Sequence, residues 1–158
     1  MTTTNITLIS SDNVSFVVSR NVITTFSAVI RDMLSDVSDE ITTIPLSNID
    51  STELSTIILF CEYHLQHPEI NIKDYRKNSD LKITNSFDNE ISGNIDGSEI
   101  DSQCKLMRDA NFLNIKPLVR LMSIKIASMI KGKNAEEIKT LLKIPDVPNE
   151  QVIPMIIS

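Results

Sequence analysis

Residues 115–139 read Ile115-Lys-Pro-Leu-Val-Arg-Leu-Met-Ser-Ile-Lys-Ile-Ala-Ser-Met-Ile-Lys-Gly-Lys-Asn-Ala-Glu-Glu-Ile-Lys139. Ile115, Leu118, Val119, Met122, Ile126, Met129 and Ile130 stand at offsets 0, 3, 4, 7, 11, 14 and 15, the spacing of one face of an α-helix. Leu121 and Ile124 lie off that stripe, so this helix either buries two faces or buries one and offers the other to a partner. Gly132 follows Lys131 where a left-handed residue ends a helix. Asn134 with Glu137 opens the next helix by capping-box spacing, with Ile138, Leu141 and Leu142 as its apolar face. Pro145, Pro148 and Pro154 rule out a long regular helix after Ile144.

Upstream, a helix is expected over 101–113. Residues 69–100 are rich in Asn, Asp, Ser and Lys and read as a mobile connection with a short ordered piece around Phe87. Before them, Leu54, Ile57, Ile58, Cys61 and Leu65 form an apolar stripe that Pro68 ends. Asp50 is expected to cap this helix, with Glu53 three residues on. At the N-terminus, Ile6 and Leu8 alternate with Thr7, Ser10–Asn13 turn, and Val14, Phe16 and Val18 alternate again, a hairpin pattern. Residues 22–34 carry Phe26, Val29, Ile30 and Met33 at helical spacing. Residues 42–46 read as a short strand placed at a sheet edge by Pro45. A hairpin and a short strand, with helices between and after them, give an α/β chain of the α+β kind.

Composition narrows the function. The chain has 158 residues, one domain or one small domain with an appendage. Net charge is −6, which argues against generic binding to a nucleic-acid backbone, and with only 4% aromatics stacking platforms are scarce. The charge is uneven: residues 116–143 hold seven cations against two anions, net +5, leaving −11 elsewhere. No apolar run is long enough to span a membrane and no leader pattern opens the chain. Two cysteines fit a reducing compartment, so a cytoplasmic or nuclear location is expected. The three glycines do not cluster into a phosphate-cradling loop.

Catalytic constellations are equally thin. Cys61, His64 and His67 are three apart, a spacing that can ligate zinc, but no fourth ligand stands nearby. The bland reading is a buried Cys61 with two surface histidines, and no metal or cofactor is expected. Asp36, Asp39 and Glu40, and likewise Asp88 and Glu90, fall in polar stretches where solvent keeps carboxylates ordinary. Cys104 reads as a small buried thiol, and no nucleophile elbow is present. What is left is a protein that works by holding surfaces together, not an enzyme.

Two blocks, Ala110-Asn-Phe-Leu-Asn-Ile-Lys-Pro-Leu118 and Ile126-Ala-Ser-Met-Ile-Lys-Gly-Lys-Asn-Ala-Glu-Glu-Ile-Lys139, closely resemble the S-phase kinase-associated protein family, the adaptors of SCF-type cullin-RING ubiquitin ligases. Weaker likenesses run through Ile6–Asp12, Ile44–Asn48 and Leu59–His64, so that the resemblance covers about residues 5–144. It implies a BTB/POZ domain over 5–113, a small sheet covered by helices, then F-box-binding helices over 114–144 and a divergent tail over 145–158. It further implies that Asn111 and Phe112 face the N-terminal domain of a cullin. On the F-box side it places Ile115, Leu118, Val119, Met122, Ile126, Met129, Ile130, Ile138, Leu141, Leu142 and Ile144.

Three departures from the family pattern stand out. Phe112 replaces a Tyr and Pro117 replaces a Gly. The tail, Pro-Asp-Val-Pro-Asn-Glu-Gln-Val-Ile-Pro-Met-Ile-Ile-Ser, lacks the family's acidic final helix with its terminal aromatic. The resemblance thus implies an adaptor bridging cullin and F-box proteins in ubiquitin-dependent degradation. The alternatives are a one-sided decoy in the same pathway and a BTB scaffold that self-associates when unpartnered.

Overall fold

The computed structural model describes residues 4–35, 42–76, 83, 85–93 and 100–142. Strands β1 (Asn5–Ile9) and β2 (Ser15–Ser19) form the expected antiparallel hairpin, with Leu8 opposite Phe16 and Ile6 opposite Val18. Asn13 takes the left-handed conformation in the turn (φ 64°), which Asn tolerates better than most residues. Strand β3 (Thr43–Pro45) pairs parallel with β1, giving the order β2-β1-β3. Pro45 thus lies on an edge strand, where its missing N–H costs no ladder bond.

Residues 22–34 do not form one helix. Helix α1 (Arg20–Phe26) stops at Ser27 and α2 (Ala28–Ser35) starts beyond it. Ser27 has extended ψ (107°) and is fully buried. Its hydroxyl oxygen accepts the N–H of Ile30 at 3.2 Å, so one residue both ends α1 and caps α2. The break rotates the apolar stripe: Ile23, Ile30 and Leu34 are buried, whereas Met33 is 43% exposed.

Helix α3 (Ser51–Gln66) begins where expected, but Asp50 does not cap it. The Asp50 carboxylate accepts instead from Ser11 and Lys105, and Glu53 lies 2.9 Å from the same Lys105 ammonium. The first N–H of the helix, that of Ser51, is met by Asp12 of the hairpin turn at 2.9 Å, and the Ser51 hydroxyl by the same carboxylate at 2.5 Å. The capping group therefore comes from 39 residues upstream. Leu54, Ile57, Ile58 and Cys61 are buried as the stripe predicts, joined by Phe60.

The connection between α3 and the C-terminal helices carries a 3₁₀ helix (Ile72–Arg76) and α4 (Ser86–Ser92), the latter around Phe87. His64 and Asp88, expected in solvent, are both buried. Asp88 joins His64 Nε2 at 2.6 Å through one oxygen and accepts the Tyr75 hydroxyl at 2.7 Å through the other. Asn85 caps α4, and its amide donates to the Tyr63 hydroxyl at 3.1 Å. Phe87 stacks on Tyr63 with ring centres 3.8 Å apart. A carboxylate with two buried donors needs no solvent, which is why a polar-looking stretch ends inside the protein. Helices α5 (Ile100–Phe112), α6 (Lys116–Ile130) and α7 (Ala135–Leu142) complete the described architecture of seven helices on a three-stranded sheet.

Candidate docking surfaces

The joint between α5 and α6 is built by Asn114. Its φ of +54° is left-handed, and the N–H of Ile115 reaches back to the Ala110 carbonyl at 2.9 Å while that of Asn114 reaches Asn111 at 3.0 Å. This is the Schellman end of a helix, with Asn in the place usually held by Gly. Leu113 and Ile115 are driven fully inside, and Asn111 and Phe112 are left outside, Phe112 49% exposed. The Ser27 hydroxyl donates to the Leu113 carbonyl at 2.7 Å, tying the joint to the break between α1 and α2. Pro117 falls in the first turn of α6, where an absent N–H does no harm. Beside Asn111 a groove of about 350 Å³ is lined by Asn114, Lys116, Val119, Arg120 and Ser123. Phe112 is therefore an exposed aromatic on a fixed backbone, an arrangement suited to an interface anchor.

Helix α6 buries its off-stripe face and part of its stripe. Ile115, Leu118 and Met122 of the stripe are fully enclosed, Met129 nearly so, and off-stripe Leu121 and Ile124 are enclosed too. Ile115, Leu118, Met122 and Met129 face neighbours in their own chain, because α6 packs along α5 and against the 3₁₀ helix and α4. Val119, Ile126, Ile130 and Ile138 are only half-buried and are the positions of this set that a partner can reach. Gly132 adopts φ +80° and Asn134 caps α7 through Glu137 N–H at 2.8 Å, both as the spacing predicts. Helix α7 lies beside α5. The side chains of Leu141 and Leu142, Ile144, and the tail 145–158 lie outside the described residues.

Burial pushes the Cys61 thiol up to about 12, with Glu62 adding to the effect, so it is a poor thiolate ligand. No group of three or more His, Cys, Asp or Glu among the described residues is placed to hold a metal. Two buried charges are costly. Asp109 is 1% exposed, with one oxygen 3.4 Å from Arg108 and the other without a hydrogen-bond partner among the described residues, and burial raises its pKa. Lys125 is 2% exposed, and burial lowers its pKa. The cation count on 116–143 therefore overstates the solvent-facing charge of this region.

Residues 4–66 match the Skp1 family tetramerisation domain and residues 116–151 match the Skp1 family dimerisation domain. The chain belongs to the Skp1 family. Similar proteins include SCF ubiquitin ligase complex protein SKP1a of Dictyostelium discoideum, 31% identical over 146 residues, covering 90% of this chain and 86% of the relative. Suppressor of kinetochore protein 1 of Schizosaccharomyces pombe is 32% identical over 149 residues, covering 92% and 90%. E3 ubiquitin ligase complex SCF subunit sconC of Arthroderma benhamiae is 31% identical over 157 residues, covering 94% and 90%. The two Skp1-family segments take in the sheet with α1–α3, and α6 with α7. Asn111 and Phe112 lie between them, as does Asp88. The sequence signal for Ser27 and Asn114 is weak, since neither a mid-helix Ser nor an Asn in a helix-to-helix link is rare.

Proposed function

We propose that this chain is the adaptor subunit of an SCF-type ubiquitin ligase, joining a cullin N-terminal domain to F-box substrate receptors in the cytoplasm or nucleus. The observation that carries the reading is likeness along nine-tenths of the chain to proteins named as SCF subunits. The geometry agrees with it: a rigid aromatic tip at Phe112 serves the cullin, and the half-buried Ile126, Ile130 and Ile138 of α6 and α7 serve the F-box. The adaptor supplies no bond chemistry. It raises the effective concentration of substrate near a ubiquitin-conjugating enzyme.

Pull-down with a cullin N-terminal domain and with an F-box protein tests this. A three-part complex is expected. Phe112→Ala should weaken only the cullin arm and Ile138→Asp only the F-box arm, because a carboxylate placed in an apolar contact is costly. Failure of both arms refutes the adaptor. Binding to one arm alone supports the second reading, a one-sided competitor, which is favoured by the tail's departure from the family pattern.

A further inference from the structure

Strand β2 is an edge of the sheet. The N–H of Ser10 donates to the Val14 carbonyl and that of Arg20 to the Thr4 carbonyl, each at 2.9 Å. Hydrogen-bonded pairs alternate along an antiparallel ladder. With Ile6 opposite Val18 and Leu8 opposite Phe16, the even-numbered residues of β2 therefore direct their backbone groups to β1. Ser15, Val17 and Ser19 direct theirs outward. Val17 is 68% exposed and Val14 is 40% exposed. The strand, Ser-Phe-Val-Val-Ser, holds no charge, no Pro and no Gly. Among the described residues it carries neither the charges nor the proline that keep an edge from pairing.

We infer that β2 is a self-pairing edge, on which a second copy of this chain docks antiparallel about a two-fold axis at Val17. The register is self-complementary. Val17 meets the partner's Val17, Phe16 meets the partner's Val18, and Ser15 meets the partner's Ser19. Phe16 and Val18 share the core face, so the two cores continue one another across a six-stranded sheet. The outer face stays neutral throughout: Asn5, Thr7, Ile9, Thr43 and Pro45 flank Val17 with no charge among them. The ends complement in charge. Arg20 falls opposite the partner's Val14, next to the hairpin turn that carries the partner's Asp12. Hydrogen bonds from Ser10 and Ser51 hold the Asp12 carboxyl down to about 2, so it is anionic at any physiological pH. A strand of this length spans only about 17 Å, so the dimer is weak and concentration-dependent. It does not depend on the adaptor reading.

The test is sedimentation velocity on the full chain over a concentration series. A reversible dimer is expected, weakened about tenfold or more by Val17→Lys, which sets two ammonium groups against each other. Ile138→Asp should leave it unchanged. Val17 is exposed, so an unaltered melting temperature will confirm that Val17→Lys folds. A chain that stays monomeric, or a dimer indifferent to Val17→Lys, overturns the inference. Cysteine pairing reads the register itself, in a Cys104→Ser background. Val17→Cys should cross-link to itself on oxidation, since paired Cα atoms about 5.5 Å apart suit a disulfide. Ser15→Cys should not, because its symmetry mate lies roughly 13 Å along the ladder. Self-cross-linking at Ser15 rather than Val17 would refute this register.

Discussion

Replacing Ser27 by alanine deletes a single oxygen that serves two backbone groups. The hydroxyl donates to the Leu113 carbonyl at 2.7 Å and accepts the Ile30 N–H at 3.2 Å, and the residue is fully buried. A methyl group can replace neither hydrogen bond, so a carbonyl at the α5–α6 joint and an N–H in the first turn of α2 both lose a partner. A buried polar group left unpaired costs about 1–3 kcal/mol, so the double loss should cost roughly 2–6 kcal/mol. In a domain of this size that lowers the melting temperature by about 5–20 °C. Urea unfolding at 25 °C with an unchanged m-value would measure it directly. Ser27→Thr keeps the hydroxyl and should recover part of the loss. If Ser27→Ala stays within about 0.5 kcal/mol of the parent, the carbonyl is satisfied some other way and the tie between joint and helix break is ornamental.

Asp88→Ala strands His64 and Tyr75 inside the protein and should cost about 2–5 kcal/mol, read by chemical denaturation; an effect below about 1 kcal/mol would refute the clasp. Asp109→Asn should stabilise the chain at pH 7. Burial raises the folded-state pKa of Asp109, so its charge penalises folding once the pH climbs above the unfolded carboxylate value. The gain should therefore shrink as pH falls toward about 4, and a gain that grows on acidification would contradict the assignment. Gly132→Ala meets no neighbouring atom but must keep φ +80°, so a loss of about 1 kcal/mol, seen in thermal melts, is expected from the backbone alone.

Periodicity made the C-terminal half legible. The stripe from Ile115 to Ile130, the left-handed Gly132 and the cap at Asn134 are local signals, and the structure keeps each. The hairpin was legible for the same reason, since alternation and a turn lie close together in the chain. What escaped depends on partners distant in sequence. Asp50 fits every local rule for a cap, yet Lys105 and Ser11 claim its carboxylate and Asp12 takes its place. Asp88 sits in a polar stretch, and only the fold brings His64 and Tyr75 around it. The division of α6 residues between own core and free surface also needed the fold, because an apolar side chain at helical spacing carries no label saying whose surface it will meet.

The borrowed cap on α3 sets an order of events. Synthesis proceeds from the N-terminus, so the turn bearing Asp12 emerges from the ribosome well before Ser51 does. The helix then has a waiting carboxylate at its start, while a fragment cut between the two would begin with a bare N–H. The hairpin acts toward α3 as a template laid down in advance, and a helix of 16 residues is finished by residues translated ahead of it.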